Sequence, residues 1–305
     1  MTPMPLTDPV LTLRNTFQAQ RPLRGGSLIV TVFGDSLAPR GGAITLGSLI
    51  RLMAPFGLTD RLVRTSVSRL VDDDWLMYRR SGRLSEYALS ATGRQRFAKA
   101  TGRIYGGPVP VGDGRWTTVV LPPAALGDRQ RLRELLRLEG FGELDPGVYV
   151  HPAVAPDDAV AALATHGMTN VLVFAADLVA GANAAALIAR GWDLSALDTR
   201  YRRFGASFQP VADHLATHGP QDPAHAFVTR TLLIHDYRRI HLRDPRLPRA
   251  LLPPEWAGHA AYALCRRLYE AVFASAEQHL DAVATRLDGP LPPAQASSPP
   301  RFPAP

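Results

Sequence analysis

A chain of 305 residues, 46% hydrophobic and 20% charged, has ample material for packed cores, and its length suggests two or three domains. No apolar run approaches the roughly 18 residues that a membrane span needs, and MTPMPLTDPV lacks the basic start and apolar centre of a signal peptide. Cys265, the single cysteine, excludes an internal disulfide, fits a reducing cytoplasm as the expected location, and reads as a small core residue rather than a nucleophile. The formal charge of +7 is unevenly placed. Met1 to Arg103 hold 15 Lys/Arg against 7 Asp/Glu, whereas Ile104 to Pro305 hold 19 against 20. Such asymmetry points to a polyanion-binding N-terminal domain on a near-neutral body.

Residues 1–24 read as a flexible arm, with weak helical periodicity over Leu11–Ala19 and two arginines, Arg21 and Arg24, beside Gly25. SLIVTVFGDSLA reads as a helix ended by Pro39-Arg40-Gly41-Gly42. Thr45 is placed to cap a second helix, LGSLIRLMAPF, which Pro55 shortens. Gly57 gives a turn, and Thr59 is placed to cap the helix within GLTDRLVRTSVSRL. At about 100° per residue, Leu62, Val63, Ser66, Val67 and Leu70 share one side of it. Arg61, Arg64, Thr65 and Ser68 share the other, with Arg69 at the flank. An apolar stripe would hold this helix on a core and leave guanidinium and hydroxyl groups outward, which suits the DNA major groove. Taken alone, a merely solvated arginine-rich helix fits equally well. Two helices joined by a glycine turn, the second one basic, make a helix-turn-helix pattern.

Asp72-Asp73-Asp74 oppose the dipole at that helix's end and are expected in the turn, away from DNA. Trp75–Arg80, Ser81-Gly82 and Arg83–Leu89 read as a β-hairpin. Arg79, Arg80 and Arg83 cluster near its tip, so a wing reaching DNA phosphates is favoured over an ordinary charged hairpin. SATGRQRFAKA closes this domain, 25–103, as a helix. A Gly/Pro-rich linker, 104–114, follows. Strand and helix patterns then alternate over 115–180: strands Arg115–Leu121, Gly147–His151 and Asn170–Phe174, with helices Leu126–Phe141 and Asp157–His166 between them. That alternation suggests a ferredoxin-like α/β domain, proposed as a dimerisation module, with the arginines of its first helix paired to Glu134 and Glu139. Residues 190–288 read as a helical domain whose last helix runs from Ala257 to Leu287, and the proline-rich 289–305 reads as a disordered tail. The expected fold class is thus α+β, with a winged helix-turn-helix, a ferredoxin-like domain and a helical domain in series.

Here a family resemblance becomes specific. FGLTDRLVRTSVSRLVDDDWL and YRRSGRLSEYALSATGR resemble the winged-helix part of the PaaX family of bacterial repressors of phenylacetic acid degradation. WDLSALDTRYRRF and HDYRRIHLRDPRLPRALLPPEWAG resemble its C-terminal part, so the likeness spans about 25–285. The resemblance implies a homodimer on a palindromic DNA operator, released by phenylacetyl-CoA.

Catalytic frames are missing from the sequence: there is no G-x-x-x-x-G-K-[ST] loop and no G-x-S-x-G elbow. His214 and His218 lie four apart but lack further metal ligands, and His235, Asp236 and His241 read as polar groups in a helix bundle. No enzymatic activity, cofactor or metal is expected. An acyl-CoA effector needs guanidinium groups beside an aromatic pocket. Trp192, Tyr201, Arg202, Arg203, Tyr237, Arg238, Arg239 and Trp256 supply those types, although each also suits a core or surface role. Three alternatives stay open. A regulator of the same build could sense another acyl-CoA or aromatic compound. An acyl-CoA enzyme with a DNA-binding appendage would turn over a thioester. An RNA-binding protein would not prefer palindromic duplex DNA.

Overall fold

The computed structural model describes residues 8–23, 25–107, 114–121, 129–168, 170–179, 183–219, 222–295 and 301–303. The start of the arm, Arg24, most of the 104–114 linker and part of the tail lie outside them.

Side-chain caps set the N-terminal helices where the sequence places them. Asp8 accepts from the Val10 amide at 2.8 Å and opens α1 (Pro9–Gln18). A second helix, α2 (Gly25–Val32), runs into a π-helical turn at Phe33–Leu37. A short strand, β1 (Ala43–Thr45), then leads into α3 (Leu46–Met53), capped by Thr45. Gly57, at φ 77°, turns the chain, and Thr59 accepts from the Leu62 amide at 3.3 Å to cap α4 (Asp60–Asp72). The hairpin strands β2 (Leu76–Ser81) and β3 (Leu84–Leu89) follow, then α5 (Ala91–Tyr105), capped by Ser90. β1 escapes sequence reading because three residues carry too little alternation. It pairs antiparallel with β3 and makes a sheet of order β1-β3-β2.

The chain divides into two compact units. One contains the described residues up to Gly106 with Arg202–Arg239 and His259–Pro303; the other contains Gly107–Tyr201 and Ile240–Gly258. The helices after residue 190 therefore form no body of their own, contrary to the three-domain expectation. α8 (Ala184–Gly191) lies within the second unit, and the helices after it are α9 (Leu194–His218), α10 (Pro223–His241) and α11 (Ala257–Val283).

In the first unit, Leu28, Ile29, Val63, Val67, Leu76 and Phe227 are among the buried core residues. α2 lies close on α4: a Cβ at Gly25 would stand 3.1 Å from Leu58 Cδ2 and 3.2 Å from Ser66 Oγ. A buried ionic cluster ties the unit together. Asp35, in the π-helical turn, accepts from Arg230 Nε at 2.6 Å, Tyr105 Oη at 2.6 Å, Arg301 Nη1 at 2.9 Å and Tyr269 Oη at 3.1 Å. Burial pushes the Asp35 carboxyl up, but Arg230 and Arg301, with the Tyr105 hydroxyl, outweigh it and hold it below its ordinary value. Arg230 also donates to Glu277 at 2.6 Å, and Glu277 accepts from Arg40 at 3.0 Å.

Three sequence expectations are corrected here. The arm is not loose from residue 8 onward: α1 is anchored by buried Val10 and Phe17, the latter edge-on to Phe56. The last helix stops at Val283, and β8 (Thr285–Arg286) pairs with β9 (Gly289–Pro290). The tail is docked at 301–303, where Phe302 is 2% exposed among Tyr105, Tyr262 and Tyr269.

The second unit holds β4 (Arg115–Val120), α6 (Arg129–Leu138), β5 (Gly142–Asp145), β6 (Val148–His151), α7 (Pro156–Ala164) and β7 (Leu172–Asp177). Its four strands form an antiparallel sheet of order β5-β6-β4-β7. Alternation along the strands gives two faces. Val119 and Tyr149 pack with Leu132, Leu136 and Leu163 of the helices on one; Trp116 and Val150 pack with Ile188 and Leu247 on the other. Arg133 and Arg137 reach Glu143 on β5, at 2.6 and 3.6 Å, where Glu134 and Glu139 were expected as their partners.

Candidate nucleic-acid interface

α4 presents the two faces its periodicity predicts. Val63, Ser66, Val67 and Leu70 are buried, while Arg61, Arg64, Thr65, Ser68 and Arg69 are exposed. Thr65 Oγ1 donates to the Arg61 carbonyl at 2.9 Å, which leaves its lone pairs outward. Arg61, Arg64 and Arg69 meet no carboxylate among the described residues. Three guanidinium groups without internal partners on one rigid helix face make a strip of positive potential suited to an anionic polymer.

The hairpin adds exposed basic groups, but not through all three of its arginines. Register sets Arg79 opposite Glu86, and Arg79 Nε donates to that carboxylate at 2.7 Å while Nη2 donates to Asp288 at 2.5 Å. Those hydrogen bonds raise its pKa and answer its charge. Arg79 therefore fastens the hairpin to the β8–β9 turn, whereas Arg80 and Arg83 stay exposed, Arg80 lying 5.9 Å over the Tyr78 ring. Asp72, Asp73 and Asp74 are exposed at the end of α4 and in the turn after it.

The eight effector candidates divide between the two units. Trp192, Tyr201 and Trp256 belong to the second. Tyr201 is buried, donates to Asp244 at 2.7 Å and stands edge-on to Trp256, while Trp192 Nε1 donates to the Gly140 carbonyl at 2.8 Å. Arg202, Arg203, Tyr237, Arg238 and Arg239 belong to the first. Arg202 and Arg203 are exposed, Tyr237 is buried against Phe204 and Phe302, and Arg239 pairs with Asp236 at 3.9 Å. Arg238 donates to Thr31 and Ser27. Within each unit, then, Tyr201 meets Trp256, while Tyr237 is occupied by core packing.

His235 is buried with its Nδ1 3.0 Å from Thr31 Oγ1; burial above all, with Arg238 and Arg239, lowers its pKa to about 3. It is a neutral core group there. His214 and His218 stack at 4.2 Å, and no cluster of three metal-capable side chains occurs among the described residues. Burial pushes the Cys265 thiol well up, as suits a core residue. Sequence reading passed over Asp35, whose one signal is an acidic residue inside the apolar run SLIVTVFGDSLA.

These features define a chain with a basic helix-and-hairpin head and a separate α/β unit. It belongs to the PaaX family. Family descriptions match in three parts: PaaX-like protein over 24–93, the PaaX protein central Cas2-like domain over 110–188, and the PaaX-like protein C-terminal domain over 192–282. The chain is 38% identical over 259 residues to the transcriptional repressor PaaX of Escherichia coli (strain K12), covering 82% of this chain and 81% of that one. That relative is named as a transcriptional repressor. The uncharacterized protein Rv0674 from Mycobacterium tuberculosis is similar in structure at a TM-score of 0.48 and 24% identity, over 76% of this chain and 89% of that one. No helix among the described residues is long and apolar enough to cross a membrane.

Proposed function

We propose that this chain is a sequence-specific DNA-binding transcriptional repressor of aromatic, phenylacetate-type catabolism genes. The observation that carries the reading is the outward face of α4, Arg61, Arg64, Thr65, Ser68 and Arg69, free of carboxylate partners among the described residues, in a chain 38% identical to a named repressor. In this reading α3 and α4 are a helix-turn-helix and β2–β3 its wing. Arg64 and its neighbours read base edges, and Arg80 and Arg83 contact backbone phosphates. Arg79 holds the wing in place. The β-α-β-β-α-β unit is ferredoxin-like and joins two copies, so that two heads meet a palindromic operator.

An acyl-CoA such as phenylacetyl-CoA releases the repressor by binding its off-DNA state more tightly, by about 1–3 kcal/mol for an ordinary coupling. The test is fluorescence anisotropy of the full chain on duplexes from upstream of its own gene neighbourhood, with and without phenylacetyl-CoA. Tight, salt-sensitive binding that the thioester reverses and free phenylacetate does not is the expected result. Binding no stronger than to unrelated duplex rejects the reading; tight binding indifferent to the thioester rejects the effector.

A further inference from the structure

On the side of α4 that packs against α2, the first unit holds a cavity of about 370 Å³. Arg69 and Leu70 of α4, Asp73 and Trp75 in the turn after it, Val30 of α2 and Arg238 of α10 line it. The chemistry of this lining is two-ended. Arg238 is largely buried; its Nε donates to Thr31 Oγ1 at 2.8 Å, and its Nη2 to the Ser27 carbonyl at 2.7 Å and Ser27 Oγ at 2.9 Å. All of these are neutral acceptors, and no carboxylate meets Arg238 among the described residues. Burial lowers its pKa to about 10, Tyr105 opposing and Arg239 adding to the effect. A guanidinium taken out of water without a counter-charge is costly, and an anion beside it recovers that cost. Arg69 adds a second cation and Asp73 one carboxylate, so the cavity has room for about one net negative charge. Val30, Leu70 and Trp75 supply the apolar part of the lining. The volume is at the lower end of the roughly 300–1,000 Å³ of small-molecule sites, too small for a whole CoA thioester.

We infer that this cavity binds a small organic monoanion, its carboxylate on Arg238 and its short aromatic or apolar body against Trp75, Val30 and Leu70. Arg69 belongs both to the cavity and to the exposed flank of α4. Occupancy and duplex binding are therefore coupled, each changing the other by the same factor; this second statement rests on the reading of α4 as a DNA-contacting helix.

The site is tested without DNA, by calorimetry on the full chain with 3-phenylpropanoate, 3-phenylpropanamide and inorganic phosphate. The carboxylate binds at least about tenfold tighter than its amide, the worth of one charge-assisted contact, and tighter than phosphate. Arg238→Gln removes the preference for carboxylate over amide. Gly26→Leu is the second variant: Gly26 lines the cavity, and a Cβ there would meet nothing within 4 Å. Leucine also suits a helix better than glycine, so Gly26→Leu keeps the melting temperature, fills the space and abolishes binding. Equal binding of acid and amide overturns the proposal, as does undiminished binding in folded Gly26→Leu. Phosphate binding as tightly as the carboxylate overturns it too, by making this a contact for the nucleic-acid backbone. Should Arg238→Gln fail to fold, Gly26→Leu decides. Duplex affinity with and without 3-phenylpropanoate then reads the coupling. Failure of all duplex binding rejects the repressor reading and leaves the calorimetric result intact.

Discussion

Arg64 stands mid-face on α4, exposed and without a carboxylate partner among the described residues, while Arg79 spends its charge on Glu86 and Asp288. Equal formal charges therefore have unequal value to a nucleic acid. Arg64→Ala should weaken binding to the specific duplex by about 1–3 kcal/mol and to unrelated duplex much less, as competition anisotropy would read. Equal loss on both would reduce Arg64 to a phosphate contact. His235 makes a second residue-scale case, in stability. Its pKa is depressed to about 3 by burial and by Arg238 and Arg239, against 6.5 when exposed. The unfolded chain binds this proton between those values and the folded chain does not. The His235 contribution to stability is therefore full above pH 6.5 and falls as pH drops toward 3, by up to about 1.4 kcal/mol per pH unit, opposed below about pH 6 by Asp236, whose pKa burial raises to about 6. Melting temperatures between pH 7 and 5 should decline in the wild type and decline less in His235→Gln; identical slopes would show another group in control.

At the scale of elements, the C-terminal segment carries the sharpest expectation. Arg301 donates to Asp35 and Tyr269, and Phe302 is closed in by three tyrosines and Tyr237. Phe302→Ala should cost about 3–5 kcal/mol. At about 2–4 °C per kcal/mol for a unit of this size, the melting temperature should fall by at least about 6 °C. Deleting 290–305 should cost no less, and an unchanged melting curve would show that the segment contributes nothing. Composition hid this docking, because a Pro-rich run of low apolar content carries no periodicity and two anchoring residues leave no pattern. α3, α4 and the hairpin were legible for the opposite reason: Thr45, Thr59 and Gly57 are local signals, and a stripe from Leu62 to Leu70 repeats at the helical period. The exposed face of α4 was legible with them. Arg79 was not, since its second partner, Asp288, lies 209 residues away. Nor could the sequence divide the effector candidates between two units, because proximity along the chain, as in Tyr201-Arg202, does not decide which core a side chain joins.

At the scale of the whole molecule, the proposed dimer needs a surface between two copies, and the central sheet offers one. Trp116 and Val150 cover one end of a sheet face with help from Ile188 and Leu247. Further along that face, Phe174 pairs across from Thr118 and Leu172 from Val120, on the edge strand β7. Phe174 is 50% exposed and Leu172 54%, so two large apolar side chains on this face are left to solvent among the described residues. In the proposed dimer this patch meets its copy about a two-fold axis, which places Phe174 at the contact twice and doubles any change made there. Phe174→Glu should therefore lower the dimer constant by at least about tenfold and leave the melting curve of the isolated chain nearly unchanged, because an exposed position can carry a charge. Sedimentation velocity would read the first and circular dichroism the second. On a palindromic duplex the same variant should bind with half-site affinity, because the linkage that makes the second head's encounter intramolecular is gone. An undisturbed dimer in Phe174→Glu would move the interface off this face.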